Sequence, residues 1–108
     1  METSLAWPHN SDAEKARRAA LLLDETVTAY RNRGHTREHA LRLAARMFGL
    51  RLRRARAMLY GEPVVVLDDE LKRMRSAFIA HLDAEAEHLA ARSAKARERL
   101  KRMRDGET

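Results

Sequence analysis

Apolar residues recur at helical spacing in four stretches of the chain. Ala16, Ala20, Leu23, Val27 and Tyr30 follow one another in steps of four and three, the signature of one helix face. Ser11-Asp12-Ala13-Glu14 just ahead of them is a capping-box pattern. A first helix is therefore predicted from Ser11 to about Arg33, with Gly34 placed to end it. Thr36 can cap a second helix with Glu38 near its positive end and Leu41, Ala44, Ala45 and Phe48 inside. Gly49 breaks that pattern, and a short third segment from Leu50 to Tyr60 stops at Gly61-Glu62-Pro63. Val64 to Leu67 reads as a brief apolar connector. Asp68 or Asp69 can cap a fourth helix reaching Arg104, about 55 Å long at 1.5 Å per residue.

The predicted fold is all-α: a three-helix domain containing a helix-turn-helix, followed by a long C-terminal helix. Residues 1–10 show no periodicity and are expected to be a flexible N-terminus, with Trp7-Pro8 as a local anchor. Residues 11–66 make the helical domain, with the helix-turn-helix at about 37–61, and residues 67–108 make the long helix and its dimerisation surface. Two prolines and four glycines leave room for long helices, and Val64-Val65-Val66 is too short to found a sheet.

Charge sharpens this picture by its location. The net charge is +6, yet His39 to Gly61 contains no acidic residue and holds Arg42, Arg46, Arg51, Arg53, Arg54 and Arg56. The other sixteen basic residues balance the sixteen acidic ones. A local patch of six arginines on an otherwise neutral chain points to a polyanionic partner.

The run from Leu41 to Gly61 meets the demands of a helix-turn-helix. Ala45 is the small residue where two helices touch, and Gly49, four residues on, allows a left-handed turn. Phe48 and Leu50 flank the turn, while Ala55, Met58 and Leu59 face inward from the second helix. Through Ala45, Gly49, Leu50, Ala55, Met58 and Gly61 this segment resembles the helix-turn-helix of the Cro and phage-repressor type. The layout is also similar to small regulators of prophages and other mobile elements. Two positions depart from the family pattern: Arg51 stands where a capping Ser or Thr is usual, and Leu52 where a polar residue is common.

The resemblance implies double-stranded DNA as partner and a regulator, most simply a repressor binding as a homodimer. Arg51, Arg53, Arg54 and Arg56 are the candidate groove residues, and Leu52 is a candidate for a thymine methyl group. Thr36, Arg37 and Arg46 are candidates for holding the phosphate backbone. The same run also reads as an ordinary helical hairpin with a basic wet face. Two alternatives therefore stay open: a helical interaction module, such as an anti-activator, that binds an acidic protein, and a sequence-independent nucleic-acid binder.

The long helix carries a heptad of its own. Ile79, Ala86, Ser93 and Leu100 occupy one core position, and Leu82, Leu89, Ala96 and Met103 the other. The alternative is a helix folded back on its own domain. In a parallel pair Arg92 would meet Arg97 of the partner. An antiparallel pair centred near Ala91 instead matches Asp83 with Arg97 and Glu85 with Arg99. It also stacks Ile79 on Met103, Leu82 on Leu100 and Ala86 on Ala96, which favours that orientation.

Enzyme chemistry is not expected. There is no Gly-rich phosphate loop, nucleophile elbow or metalloprotease helix motif. The absence of cysteine excludes disulfides and thiolate metal sites. His81, Glu85 and His88 share a helix face, and His35 and His39 are four apart, but neither group is expected to bind a metal. No cofactor and no small-molecule substrate are expected. No apolar run approaches the roughly 20 residues of a membrane span, and Met1-Glu2-Thr3-Ser4 lacks the basic start of a secretion signal, so a cytoplasmic protein is expected.

Overall fold

A computed structural model of the chain describes residues 11–106; the expectations for residues 1–10 lie outside the described residues. The described chain is all-helical. Four helices follow in order: α1 (Asp12–Asn32), α2 (Arg37–Phe48), α3 (Leu52–Leu59) and α4 (Asp68–Gly106). None of them is long and apolar enough to cross a membrane.

The helix starts are set by local chemistry. Ser11 caps α1 through its hydroxyl, which accepts from the Glu14 amide at 3.1 Å. Glu14 turns its carboxylate to Arg17 and Arg18, one turn further on. Thr36 caps α2 in the same way, accepting from the His39 amide at 3.2 Å. At the start of α4 the Leu67 amide donates to the Glu70 carboxylate at 3.3 Å, so Asp68 and Asp69 fall inside the first turn, where their charge suits the helix dipole.

α1 packs on both α2 and α3, and α2 packs on α3. The core draws Ala19, Leu23 and Val27 from α1, Ala40, Leu41, Ala44, Ala45 and Phe48 from α2, and Ala55 and Met58 from α3. Val66 of the connector and Met74 of α4 close it, while Val65 and Leu67 are exposed. α1 is turned slightly from its predicted stripe: Ala19 and Thr26 are fully buried, and Ala16, Ala20 and Tyr30 only in part. A helix that meets two neighbours buries a wider arc than one stripe of steps four and three. Thr26 is tolerated because its hydroxyl donates to the Leu22 carbonyl at 2.9 Å.

The chain divides into two units, one ending at Phe78 and one running from Ile79 onward. The first unit thus includes the opening turns of α4, where Leu71, Met74, Ala77 and Phe78 join the core. It takes in about three turns of that helix. In the second unit every residue from Ala86 to Gly106 is exposed.

Candidate nucleic-acid interface

The turn between α2 and α3 is built by the backbone. Gly49 ends α2 with φ of 70° and ψ of 28°, in the left-handed region. Its amide donates to the Arg46 carbonyl at 3.1 Å and the Leu50 amide to the Ala45 carbonyl at 2.8 Å, closing the last turn. Leu50 is half-buried against the core, so the chain is held on both sides of the glycine.

α3 begins at Leu52. Arg51 is its cap residue and makes no side-chain capping bond. Successive residues turn by about 100° on a helix, so the inward positions Ala55 and Met58 fix where the arginines go. Arg53 lies nearly opposite them and is exposed, whereas Arg54 and Arg56 lie about 100° to either side of Ala55. Those two side directions lead to neighbouring helices. Arg54 makes a bidentate pair with Glu70 of α4, at 2.6 and 2.7 Å, and donates to the Val65 carbonyl at 2.7 Å. Arg56 reaches Glu38 of α2 at 2.5 Å, and Arg42 approaches the same carboxylate at 3.6 Å.

The fork of Arg54 affects both partners. Its hydrogen bonds hold the Glu70 carboxyl below the ordinary glutamate range, burial opposing them and the Leu67 amide adding to them. Arg54 is raised above its ordinary value by the same bond, so the pair is ionised across the physiological range. Arg37 donates to the Tyr60 hydroxyl at 3.0 Å and lies 5.4 Å from that ring's centre, tying the start of α2 to the end of α3. The bond to Tyr60 also raises Arg37 above its ordinary value.

The predicted site residues therefore divide. Arg46, Arg51 and Arg53, at the end of α2 and the start of α3, are exposed and form no ion pair among the described residues. Arg54, Arg56 and Arg37 have partners inside the fold. Thr36 is the α2 cap, which leaves the neighbouring amides of α2 at an exposed helix start. Leu52 is half-buried and packs against the core, so its position in the sequence is explained by packing. Glu38, Tyr60 and Glu70 complete the arrangement and were not among the expected residues. Their partners lie 18, 23 and 16 residues away, and local spacing carries no signal for such pairs.

Elsewhere, Tyr30, His35 and His39 form a line of rings, with centres 5.9 and 4.9 Å apart. His81 lies 3.4 Å from Glu85 on α4. Among the described residues no group of three or more histidines and carboxylates is placed to hold a metal ion. No family model, curated protein or solved structure matches this chain.

Proposed function

We propose that this protein is a regulator that binds duplex DNA in a sequence-dependent way through α2 and α3. The observation that carries this reading is the pairing of a left-handed glycine turn with three uncommitted arginines on its two sides. Arg51 and Arg53 occupy the exposed start of α3, the part of a recognition helix that enters a major groove. Arg46 and the start of α2 at Thr36 are suited to phosphates. Arg54 and Arg56 contribute differently: they brace α3 against α4 and α2, which holds the presented residues in one pose and lowers the ordering cost of binding.

An acidic protein surface would satisfy Arg46, Arg51 and Arg53 as well, and their small number favours that second reading more than six free arginines would. Selection of bound sequences from random duplexes separates the two. DNA binding predicts one enriched sequence and a linear fall of log affinity with log salt, about −0.9 per phosphate contacted. Absence of duplex binding at about 50–100 mM salt, where such contacts are still strong, would remove the DNA reading in favour of the protein partner.

A further inference from the structure

We infer that residues 79–106 pair with the same segment of a second copy of this chain, antiparallel and centred near Ala91. This inference does not rest on the DNA reading. The segment exposes Ile79, Leu82, Leu89, Leu100 and Met103 by 46 to 61% on one helix face. Large apolar side chains repeating along one face of an exposed helix are the seam of a coiled coil. Ala86, Ser93 and Ala96 lie between them, small enough for two helices to approach closely there.

One register satisfies both seam and flanks. Ile79 meets Met103, Leu82 meets Leu100, Ala86 meets Ala96 and Leu89 meets Ser93, all about the same centre. At that centre Asp83 lies beside the partner's Arg97 and Glu85 beside the partner's Arg99. By symmetry each pair occurs twice. Glu85, now 3.4 Å from His81, stays on the flank of the seam. The like-charged contact is Arg92 against its own copy, and two long side chains can diverge there into solvent. A slip of one heptad leaves either Ile79 and Leu82 or Leu100 and Met103 without an apolar partner.

The parallel arrangement is worse on charge alone. It sets Arg92 against Arg97 and Arg99 against Arg104, each twice, and brings no opposite charges together across the seam. Flanking ion pairs are individually weak, so they choose the orientation while the leucines drive assembly.

Sedimentation equilibrium of the full chain without DNA tests the pairing. A dimer is expected at high micromolar concentration, and Leu82→Ala with Leu89→Ala should make it monomeric with helicity unchanged. Asp83→Arg or Arg97→Asp alone should weaken the dimer about tenfold, and the two together should restore it. Orientation is read by disulfide capture, which the chain permits because it has no cysteine of its own. Ala86→Cys alone should not cross-link, since the two copies lie about 15 Å apart along the antiparallel axis. Mixed with Ala96→Cys it should cross-link. A parent protein that stays monomeric overturns the inference and leaves the DNA reading standing. Self-cross-linking of Ala86→Cys overturns the antiparallel register in favour of a parallel pair.

Discussion

Residues 11–78 and residues 79–106 are written in nearly the same vocabulary of alanine, leucine, arginine and glutamate, yet they use it differently. In the first unit leucines at helical spacing are covered by the chain itself: Leu23 and Leu41 are almost wholly buried. In the second, Leu82 and Leu89 repeat at heptad spacing and stay exposed. The charges follow the same division. Arg54, Arg56 and Arg37 of the first unit reach partners at least 16 residues away. The flanking Asp83 and Arg97 of the second make no ion pair among the described residues, and each would meet an opposite charge in a second copy of the chain in the register inferred above. The difference lies in return of the chain: the turns that connect α1, α2, α3 and the start of α4 bring distant residues together, and a single helix brings together only residues three or four apart.

The sharpest way to break this comparison is one substitution made in both units. Leu23→Ala removes a side chain with no exposure and leaves a cavity among three helices, at a cost of about 2–5 kcal/mol. Leu89→Ala removes a side chain that is 61% exposed and substitutes a better helix former. Thermal unfolding should fall steeply for the first. For the second, hydrogen exchange of the α1 to α3 amides should be unchanged. Equal losses would mean that the two units unfold as one.

Gly49 comes next in size. A β-carbon there meets no atom within 4 Å, so the cost of substitution is all in the backbone, held at φ of 70°. Gly49→Ala should cost about 1 kcal/mol and Gly49→Val more, read as lower melting temperatures. If the protein binds DNA as proposed, its affinity should fall with them, because the turn sets the angle between α2 and α3. A Gly49→Val protein as stable as the parent would mean the left-handed turn is not formed.

The Arg54–Glu70 pair is smaller, because Arg54 keeps about a third of its side chain in water and Glu70 only 12%. Arg54→Ala should cost about 1 kcal/mol, much of it from leaving the Glu70 carboxylate with a single amide partner. The pair also has a pH signature. The carboxyl of Glu70 titrates below its ordinary 4.5 in the folded chain, so its contribution is complete above 4.5 and is lost as pH falls through the folded value. Unfolding of the parent should steepen in that acid range, and Glu70→Gln should flatten it. Identical acid unfolding of the two proteins would show that the fork contributes nothing.

Much of the fold was legible because much of it is local. Ser11 and Thr36 cap the helices they precede, and Gly49 takes the left-handed turn, each decided by residues within three or four places. The long helix was equally plain, since nothing between Asp68 and Gly106 interrupts it. The candidate site was legible only in part. Arg51, Arg53, Arg54 and Arg56 looked equivalent in sequence, and the position of Ala55 already placed Arg54 and Arg56 at the sides of α3. Which acids waited there depended on where α4 begins and how α2 lies, and no local spacing carries that. Leu52 shows the same limit: its sequence position fits a groove residue, and the core claims it because it lies three residues before Ala55, on the inward face of α3.

Arg53 gives the smallest effect on stability and the most specific one on binding. It lies on the outer side of α3, exposed and without an ion pair among the described residues, so Arg53→Ala should stay within about 0.5 kcal/mol of the parent in unfolding. If Arg53 contacts a phosphate, the same change should lower the salt slope by about 0.9 and weaken all duplexes alike. If it reads a base, the slope should hold, and discrimination at one position should fall by about 1–3 kcal/mol. Arg54→Ala makes the opposite pattern, lost stability with an altered slope only through the loosened pose of α3. Measuring both variants by unfolding and by salt titration therefore separates an arginine that presents itself from one that braces. An Arg53→Ala protein that binds every duplex as the parent does, at every salt concentration, would leave α3 without its leading contact and turn the reading toward an acidic protein partner.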